Sequence, residues 1–406
     1  MKNAVKTILE VVLATFLVLI TVFTLFRNFF KEGFLDYPDF YLLFLAHSSI
    51  TNITAYVSAW NFGFMGGPNS TTISIYLILN LFASLGLYGV SMEMFLDFSL
   101  LAIGFISLVY LIRIFSSNVW VAALSALIYI LTPMLFLTIF NGDGNYPFYA
   151  MLPAFILLSY LISKKRSWTS CLMMSGLLGL GEVINPYTVI LVLPVMLVAL
   201  LLVIISKENK KIILKTLLFL FIPIVFAILI NFPYFIGIVT QYSSIASSVS
   251  VAKNTGTAII ASTYQWAGPF RAWTLLGSDL FPRYSMFYGE LSYVLLFILP
   301  VISLGSLFVH SENLERNSVR KYMILLLWTS YILLEAGHYG LLSPLFSHFP
   351  ILDVFNYPSV FSFFLNASYA VLIPITLDAL NDRTKIIGIR NVKSPPNRQS
   401  QVASTP

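Results

Sequence analysis

The sequence predicts an all-α, polytopic membrane protein with about ten transmembrane helices. Hydrophobic residues make up 58% of the chain and charged residues only 10%, against roughly 25% charged in soluble domains. Apolar runs long enough to cross a bilayer recur along the chain and are separated by short connectors. Because hydrocarbon offers no partners to backbone polar groups, these runs are expected to be helices.

Ten of the apolar runs are long enough to span the membrane, and the first lacks the cleavage-site pattern of a signal peptide. Their ranges are 7–26, 94–112, 118–139, 147–163, 168–185, 187–206, 212–236, 288–309, 321–338 and 359–380. An eleventh run, 73–88, is shorter and follows a Gly-Gly-Pro turn.

Positive charge predicts the topology, because Lys and Arg in short loops mark the cytoplasmic side. Basic connectors occur at Arg113 and at 164–166, 207–211 and 316–321. They share one side only if run 73–88 does not cross, so we expect a juxtamembrane helix there. The alternative is a short true span with Arg113 outside. The first interpretation places both termini in the cytoplasm and the protein in the cell membrane.

This topology divides the chain into a transmembrane domain, residues 1–382, and a polar, disordered cytoplasmic tail, residues 383–406. The outer loops are 27–93, 240–287 and 337–358. Membrane orientation accounts for the basic excess, so no nucleic-acid partner is expected. The one cysteine, Cys171, excludes an intrachain disulfide and a cysteine-based metal site.

Two carboxylates, Asp36 and Asp39, follow the first span and flank Tyr37 and Pro38. Pro38 fixes its own φ and favours an extended Tyr37, so both carboxylates can point into one site. A general base needs a carboxylate near its target hydroxyl, and divalent cations are commonly held by one or two carboxylates. Asp39 and Asp36 are therefore candidate catalytic residues, with a solvated loop pair as the alternative.

A second acidic turn, Asn-Gly-Asp-Gly-Asn at 141–145, lies between two spans on the same predicted face. We expect Asp143 to approach Asp36, where the two could hold Mg or Mn, the only cofactor expected. Glycine, asparagine and aspartate also favour ordinary turns, and a plain turn is the alternative.

Other candidates lie at the outer ends of spans or in the later outer loops. Ionisable groups at membrane depth are costly, which singles out Glu182 and Glu335; snorkelling to the interface is the alternative. Pro186 should break the helix just after Glu182. Arginine suits phosphate recognition. The candidate substrate-binding residues are Arg271, Arg283, His338, Glu335 and Trp60.

With these residues placed, the chain resembles the GT-C-type membrane glycosyltransferases, in their poorly characterised bacterial and archaeal branch. Those proteins have one span and then an outer loop that opens on an acid, as at Asp36 and Asp39, and contains juxtamembrane helices, as at 73–88. The run LIRIFSSNVWVAALSALIYILTP is typical of their next spans, and Asp143 lies where a second acidic motif occurs. Where the family often carries a Phe-Arg-x-Pro-like run, this chain has FNYP, with Asn356 in place of the arginine.

The resemblance implies a polyprenyl-phosphate sugar donor in the membrane lipid and a glycan, lipid or protein acceptor on the outer face. Asp39 or Asp36 would deprotonate the acceptor hydroxyl for an inverting attack on the anomeric carbon. An arginine, a histidine or a divalent cation would meet the charge of the leaving phosphate. We prefer Asp39 as the base, because Asp36 lies closer in sequence to the cationic residues Arg27 and Lys31.

Two other functions remain open. A transporter or flippase of lipid-linked glycans or polysaccharides would need polar groups near the bilayer midplane and broken helices, whereas the acids here cluster at outer helix ends. A non-catalytic membrane scaffold is the third possibility, and Asn356 favours it.

Overall fold

The computed structural model describes residues 13, 16–18, 20–21, 81, 84–87, 90–132, 146–184, 188–230, 232, 291–309, 313–335 and 359–392. All regular secondary structure within these ranges is helical. The helices with assigned bounds are α1 (Val90–Arg113), α2 (Val119–Leu131), α3 (Tyr146–Lys165), α4 (Trp168–Ile184), α5 (Thr188–Ile205), α6 (Lys210–Ile230), α7 (Leu291–Phe308), α8 (Leu314–Glu335) and α9 (Ser359–Val392).

Four of these helices are long and apolar enough to cross a membrane. They are α3 over Pro147–Lys165, α5, α6, and α9 over Phe361–Leu380. Shorter apolar helices cover Phe98–Arg113, Val119–Ile130 and Ile298–Phe308. The chain is therefore an all-helical protein, in its described part, whose helices are compatible with a membrane protein. The total of ten spans stays a prediction.

The short connectors between helices meet at one end of the bundle. At that end, Arg166 Nε donates to Thr216 Oγ1 at 3.2 Å, which joins the α3–α4 connector to the start of α6. Asn313 Nδ2 donates to the Phe115 carbonyl at 3.2 Å, which joins the α7–α8 and α1–α2 connectors. Tyr160, near the end of α3, reaches Glu315 at the start of α8. We call this the basic end, because residues 164–166 and 207–211 carry its cations.

We call the opposite end of the bundle the loop end. Helices joined by short connectors alternate in direction, which assigns the remaining helix ends to it. Here the end of α2 contacts the start of α3, and the end of α4 contacts the start of α5. The helix ends that flank 133–145, 185–187, 233–290 and 336–358 all belong to the loop end. The long polar segments of the sequence therefore join the bundle at one end.

Two helix boundaries differ from those expected from the sequence. The run 118–139 is not one continuous helix: α2 ends at Leu131, and Thr132 is extended, with φ −72° and ψ 155°. A residue that precedes a proline is disfavoured in the α conformation, and position 133 is a proline. At the other end of the chain, α9 continues past the expected last span to Val392, through the first part of the segment expected to be a tail.

The expected helix at 73–88 is only partly described. Leu81 and Ser84 are helical, and Leu85 N–H donates to the Leu81 carbonyl at 3.2 Å. Gly86 then has φ 80°, the left-handed conformation that commonly ends helices. A helical turn therefore ends just before α1, and the juxtamembrane helix over 73–88 stays a prediction.

Helices α3 and α9 form the centre of the bundle, with 89% of the spanning residues of each buried. Helix α1 crosses α3 so closely that a Cβ at Gly104 would overlap the Ala150 carbonyl oxygen. The contact of α4 with α5 is similar, because a Cβ at Gly181 would lie 2.6 Å from a methyl carbon of Thr188. Small residues let helix backbones approach in membranes, where apolar burial alone does not drive helices together.

Prolines 153, 223 and 374 lie inside helices, and each leaves the carbonyl four residues earlier without its helical donor. In all three cases a side chain of another helix donates to that carbonyl. The pairs are Tyr129 Oη to Tyr149 O at 2.6 Å, Cys171 Sγ to Phe219 O at 3.5 Å, and Ser125 Oγ to Ala370 O at 2.6 Å. The prolines therefore connect helices α2–α3, α4–α6 and α2–α9.

Candidate functional site

Most residues singled out from the sequence lie outside the described residues. They are Asp36, Asp39, Trp60, Asp143, Arg271, Arg283 and His338. Glu335 is the last residue of α8, and only its backbone is described, so its expected role in substrate binding is untested. The shared acidic site and its metal ion therefore stay predictions.

At the loop end, the described part of the candidate site begins with a pair of tyrosines. Tyr129 Oη donates to the Tyr149 carbonyl at 2.6 Å, and Tyr149 Oη donates to the Tyr129 carbonyl at 3.1 Å. The two rings stack with centroids 4.8 Å apart and planes 6° apart. This reciprocal contact fixes the end of α2 against the start of α3.

Asn366 connects α9 to this tyrosine pair. Its Nδ2 donates to the Tyr129 carbonyl at 3.4 Å and also contacts Tyr149 Oη. Thr132 Oγ1 donates to the same Tyr129 carbonyl at 3.0 Å. That carbonyl lies four residues before Pro133, so no helical N–H is available to it. The side chains thus replace the missing backbone donor.

The tyrosine–asparagine cluster, residues Tyr129, Thr132, Tyr149 and Asn366, supports a site but is not itself a reactive centre. Its side chains are 2% exposed or less, and their hydroxyl groups and the Asn366 Nδ2 contact one another and backbone carbonyls, while Asn366 Oδ1 has no partner among the described residues. The cluster holds together the three helix ends α2, α3 and α9, and the first two flank the segment that carries Asp143. The cluster therefore positions the end of α2 and the start of α3, between which that segment lies in sequence.

Glu182 lies at the same end, on the last turn of α4, and is only 2% exposed. Its Oε1 accepts the N–H of Val189, in the first turn of α5. Its Oε2 has no hydrogen-bond partner among the residues that the structure describes. The snorkelling alternative is therefore wrong for Glu182, because the carboxyl group faces the protein and caps the next helix.

The expected break near Asn185 and Pro186 separates two described helices. Helix α4 ends at Ile184 and α5 begins at Thr188. Glu182 satisfies one of the free N–H groups that every helix start carries. The sequence pointed to Glu182 through its cost at membrane depth, but the acceptor role needed the fold, which brings Val189 back against it.

The basic end contains a buried ion pair that sequence reasoning did not find. Arg316 Nη2 lies 2.6 Å from Asp378 Oδ2, and each side chain is 8% exposed. The sequence suggested Arg316 as a cytoplasmic connector charge, but its charge is met inside the bundle. The partners are 62 positions apart, on α8 and α9, and no local pattern links them.

Further polar contacts surround this pair. Tyr160 Oη donates to Glu315 Oε2 at 3.2 Å, and Arg320 Nη1 donates to the Ser306 carbonyl at 3.3 Å. Asn313 Oδ1 accepts the N–H groups of Glu315 and Arg316, which caps the start of α8. These bonds fix α8 against α3, α7 and α9, and we assign them a structural role.

In the described ranges, no three His, Cys, Asp or Glu residues lie close enough to hold a metal ion. The expected ligands Asp36 and Asp143 are outside those ranges, so the cation stays a prediction. No protein-family model matches the chain, and neither a curated protein nor a solved structure matches it.

Proposed function

We propose that this chain is a membrane glycosyltransferase that transfers a sugar from a polyprenyl-phosphate donor to a glycan or lipid acceptor on the outer face. The observation that carries the proposal is the one-sided arrangement of its polar segments. The segments that contain Asp143, Arg271, Arg283 and His338 all join the bundle at the loop end, and α1 also begins there, after the segment with Asp36 and Asp39. A donor with a lipid tail needs this geometry, because its tail stays in hydrocarbon while its sugar reaches water.

In this proposal Asp39 is the general base and Asp36 assists it, either directly or through a divalent cation shared with Asp143. One of Arg271, Arg283 and His338 stabilises the leaving phosphate, and Trp60 and Glu335 contribute to substrate binding. The described helices supply a rigid frame at the loop end, through the tyrosine–asparagine cluster and the Glu182 cap. Ten spans with both termini in the cytoplasm complete the proposed topology.

The test of the base is Asp39→Asn in purified protein, assayed with radiolabelled polyprenyl-phosphate sugars. We expect turnover to fall by about 10²–10⁴-fold, the usual contribution of a positioned general base, while donor binding persists. Glu208→Gln, an exposed change at the basic end, is the matched control and should leave turnover unchanged. Full activity of both Asp39→Asn and Asp36→Asn would refute the carboxylate mechanism.

The proposed topology has its own test, which does not depend on catalysis. Single cysteines at positions 143 and 165 are introduced after Cys171 has been replaced. A membrane-impermeant thiol reagent applied from outside should label position 143 and not position 165. The reverse pattern would invert the assignment of the loop end to the outer face.

A transporter is the second candidate, and the buried Glu182, whose Oε2 has no partner among the described residues, is the observation that favours it. Ionisable groups inside a membrane protein commonly mark ion or substrate paths. Glu182→Gln in proteoliposomes would abolish transport if the transporter proposal holds. If the chain is a glycosyltransferase, the same variant keeps sugar transfer, apart from a loss of stability.

A further inference from the structure

A groove of about 420 Å³ lies between α5, α6 and α8. Its described lining is leucine, isoleucine, methionine, phenylalanine and proline, with Thr329 as the one hydroxyl-bearing side chain in that set. The groove lies along the middle of α5 and α6, two of the helices able to cross a membrane. Several lining side chains are half exposed, among them Leu197 at 49% and Phe221 at 57%. An open apolar groove at this depth faces hydrocarbon, so lipid chains can enter it from the side.

Two cations lie toward the basic end, one at the start of α6 and one in the α5–α6 connector. Lys210, the first residue of α6, is seven positions before the groove residue Leu217, so the two share a helix face. The rise of about 1.5 Å per residue places them about 10 Å apart along the helix axis. Lys207, in the α5–α6 connector, follows the groove residue Leu200 by the same interval. Both lysines are exposed.

The geometry points to a binding site for one anionic glycerophospholipid, with an acyl chain in the α5–α6–α8 groove and its phosphate at Lys210 and Lys207. Charge complementarity selects an anionic headgroup, since basic residues beside a membrane helix attract anionic lipids. The vertical separation between cations and groove suits one leaflet, about half of a hydrocarbon core of roughly 30 Å. The site goes beyond sugar transfer and does not depend on it.

The polyprenyl-phosphate donor does not fit this arrangement. Its phosphate belongs at the loop end in the proposed reaction, whereas Lys207 and Lys210 lie at the basic end. Two prolines, Pro194 and Pro223, lie in the helix segments that line the groove or border it. Proline loosens regular helix packing, which gives a physical reason for a gap at this place.

The experiment measures lipid retained by the full-length chain in mild detergent, by native mass spectrometry. The probes are phosphatidylglycerol and phosphatidylcholine with identical acyl chains. We expect one phosphatidylglycerol to be retained in preference to phosphatidylcholine. Lys210→Gln should lower that retention about fivefold, the factor that one cation near a lipid surface contributes. Lys165→Gln, an exposed lysine that ends α3, is the matched control and should change nothing.

Two adjacent tryptophan substitutions test the groove itself. Leu217 and Leu218 are 47% and 53% exposed, but only Leu217 is among the lining residues. Leu217→Trp fills the groove and should remove the retained lipid, while Leu218→Trp should not. Equal retention of both lipids, equal effects of Lys210→Gln and Lys165→Gln, or displacement of phosphatidylglycerol by undecaprenyl phosphate would each overturn the site. Because Lys210→Gln leaves the groove unfilled, the test holds even if Leu217→Trp does not fold.

Discussion

Helices α9 and α6 are both long enough to cross a membrane, but they are built from different residues. In α9, 89% of the spanning residues are buried, and the sequence is rich in serine, phenylalanine and single polar groups such as Asn366 and Asp378. In α6 only 28% are buried, and its exposed hydrophobic residues are leucine, phenylalanine, valine and isoleucine. The more hydrophobic helix is thus the more peripheral one.

This inverse relation between hydrophobicity and burial is the one expected for helices surrounded by lipid rather than water. Lipid chains are as apolar as leucine, so an apolar face gains nothing by leaving lipid for protein. Helix association instead depends on close backbone approach and on hydrogen bonds between helices. Helix α9 has such polar contacts with other helices, through Ser125, Asn366 and the Arg316–Asp378 pair. Helix α6 receives the long bond from Cys171 of α4 to its Phe219 carbonyl and the bond from Arg166 of the α3–α4 connector to Thr216.

The strongest test of this contrast is removal of one partner of the buried ion pair. Arg316→Ala leaves the Asp378 carboxylate buried, which we expect to cost about 3–5 kcal/mol of unfolding free energy. The measurement is SDS-induced unfolding in mixed micelles. Combining Arg316→Met with Asp378→Leu should restore most of the loss, because no charge then stays buried. A double variant as unstable as Arg316→Ala would show that the pair itself supplies the stability.

Close approach is tested at the crossing of α1 and α3. Gly104→Ala places a methyl group against the Ala150 carbonyl, and overpacking of this kind costs about 1–3 kcal/mol. Gly176→Ala on α4 is the control, since nothing lies within 4 Å of a Cβ built there. Thermal melting in detergent should separate the two variants. Equal melting temperatures would mean that α1 does not need to approach α3 this closely.

A single interhelical hydrogen bond should matter less. Tyr129→Phe removes the donor to the Tyr149 carbonyl and should cost about 0.6–1.7 kcal/mol, the range found for such bonds in membranes. Tyr110→Phe, on the 53% exposed Tyr110 of α1, is the matched control. If the two substitutions had the same effect on unfolding, the tyrosine pair would not be a stabilising contact.

The smallest effect is expected on the outer face of α6. Leu218→Ala should change the unfolding free energy by less than about 0.5 kcal/mol, because that side chain is exposed. A loss above about 2 kcal/mol, the cost of truncating a buried leucine, would show that something covers α6. The same unfolding assay gives the answer.

The sequence predicted the all-helical class and the positions of most described helices, because both depend on local apolar runs and on prolines. It missed the end of α2 by several residues, since apolar composition continues past Pro133 while α2 ends at Leu131. It also did not predict that α9 extends to Val392, because that segment is polar and lacks a strong apolar pattern.

The site was less predictable, because its described contacts depend on how the helices pack against one another. The cost of burying a carboxyl group singled out Glu182, but the N–H that it accepts follows only from the packing of α5 against α4. Arg316 looked like an ordinary connector charge, since nothing near it in sequence indicates Asp378. The expected base, Asp39, lies in a polar segment whose position no helical pattern fixes.

The prolines of α3, α6 and α9 have a consequence for the order of synthesis. The donors Tyr129, Cys171 and Ser125 all precede the carbonyls that they meet. Chains are made from the amino terminus, so each donor is synthesised before its proline-bearing helix. The carbonyl that each proline leaves without a helical donor thus has a side-chain donor that was synthesised earlier. Moving a donor to a later helix would leave that carbonyl unmet during biogenesis, even if the finished contact were the same.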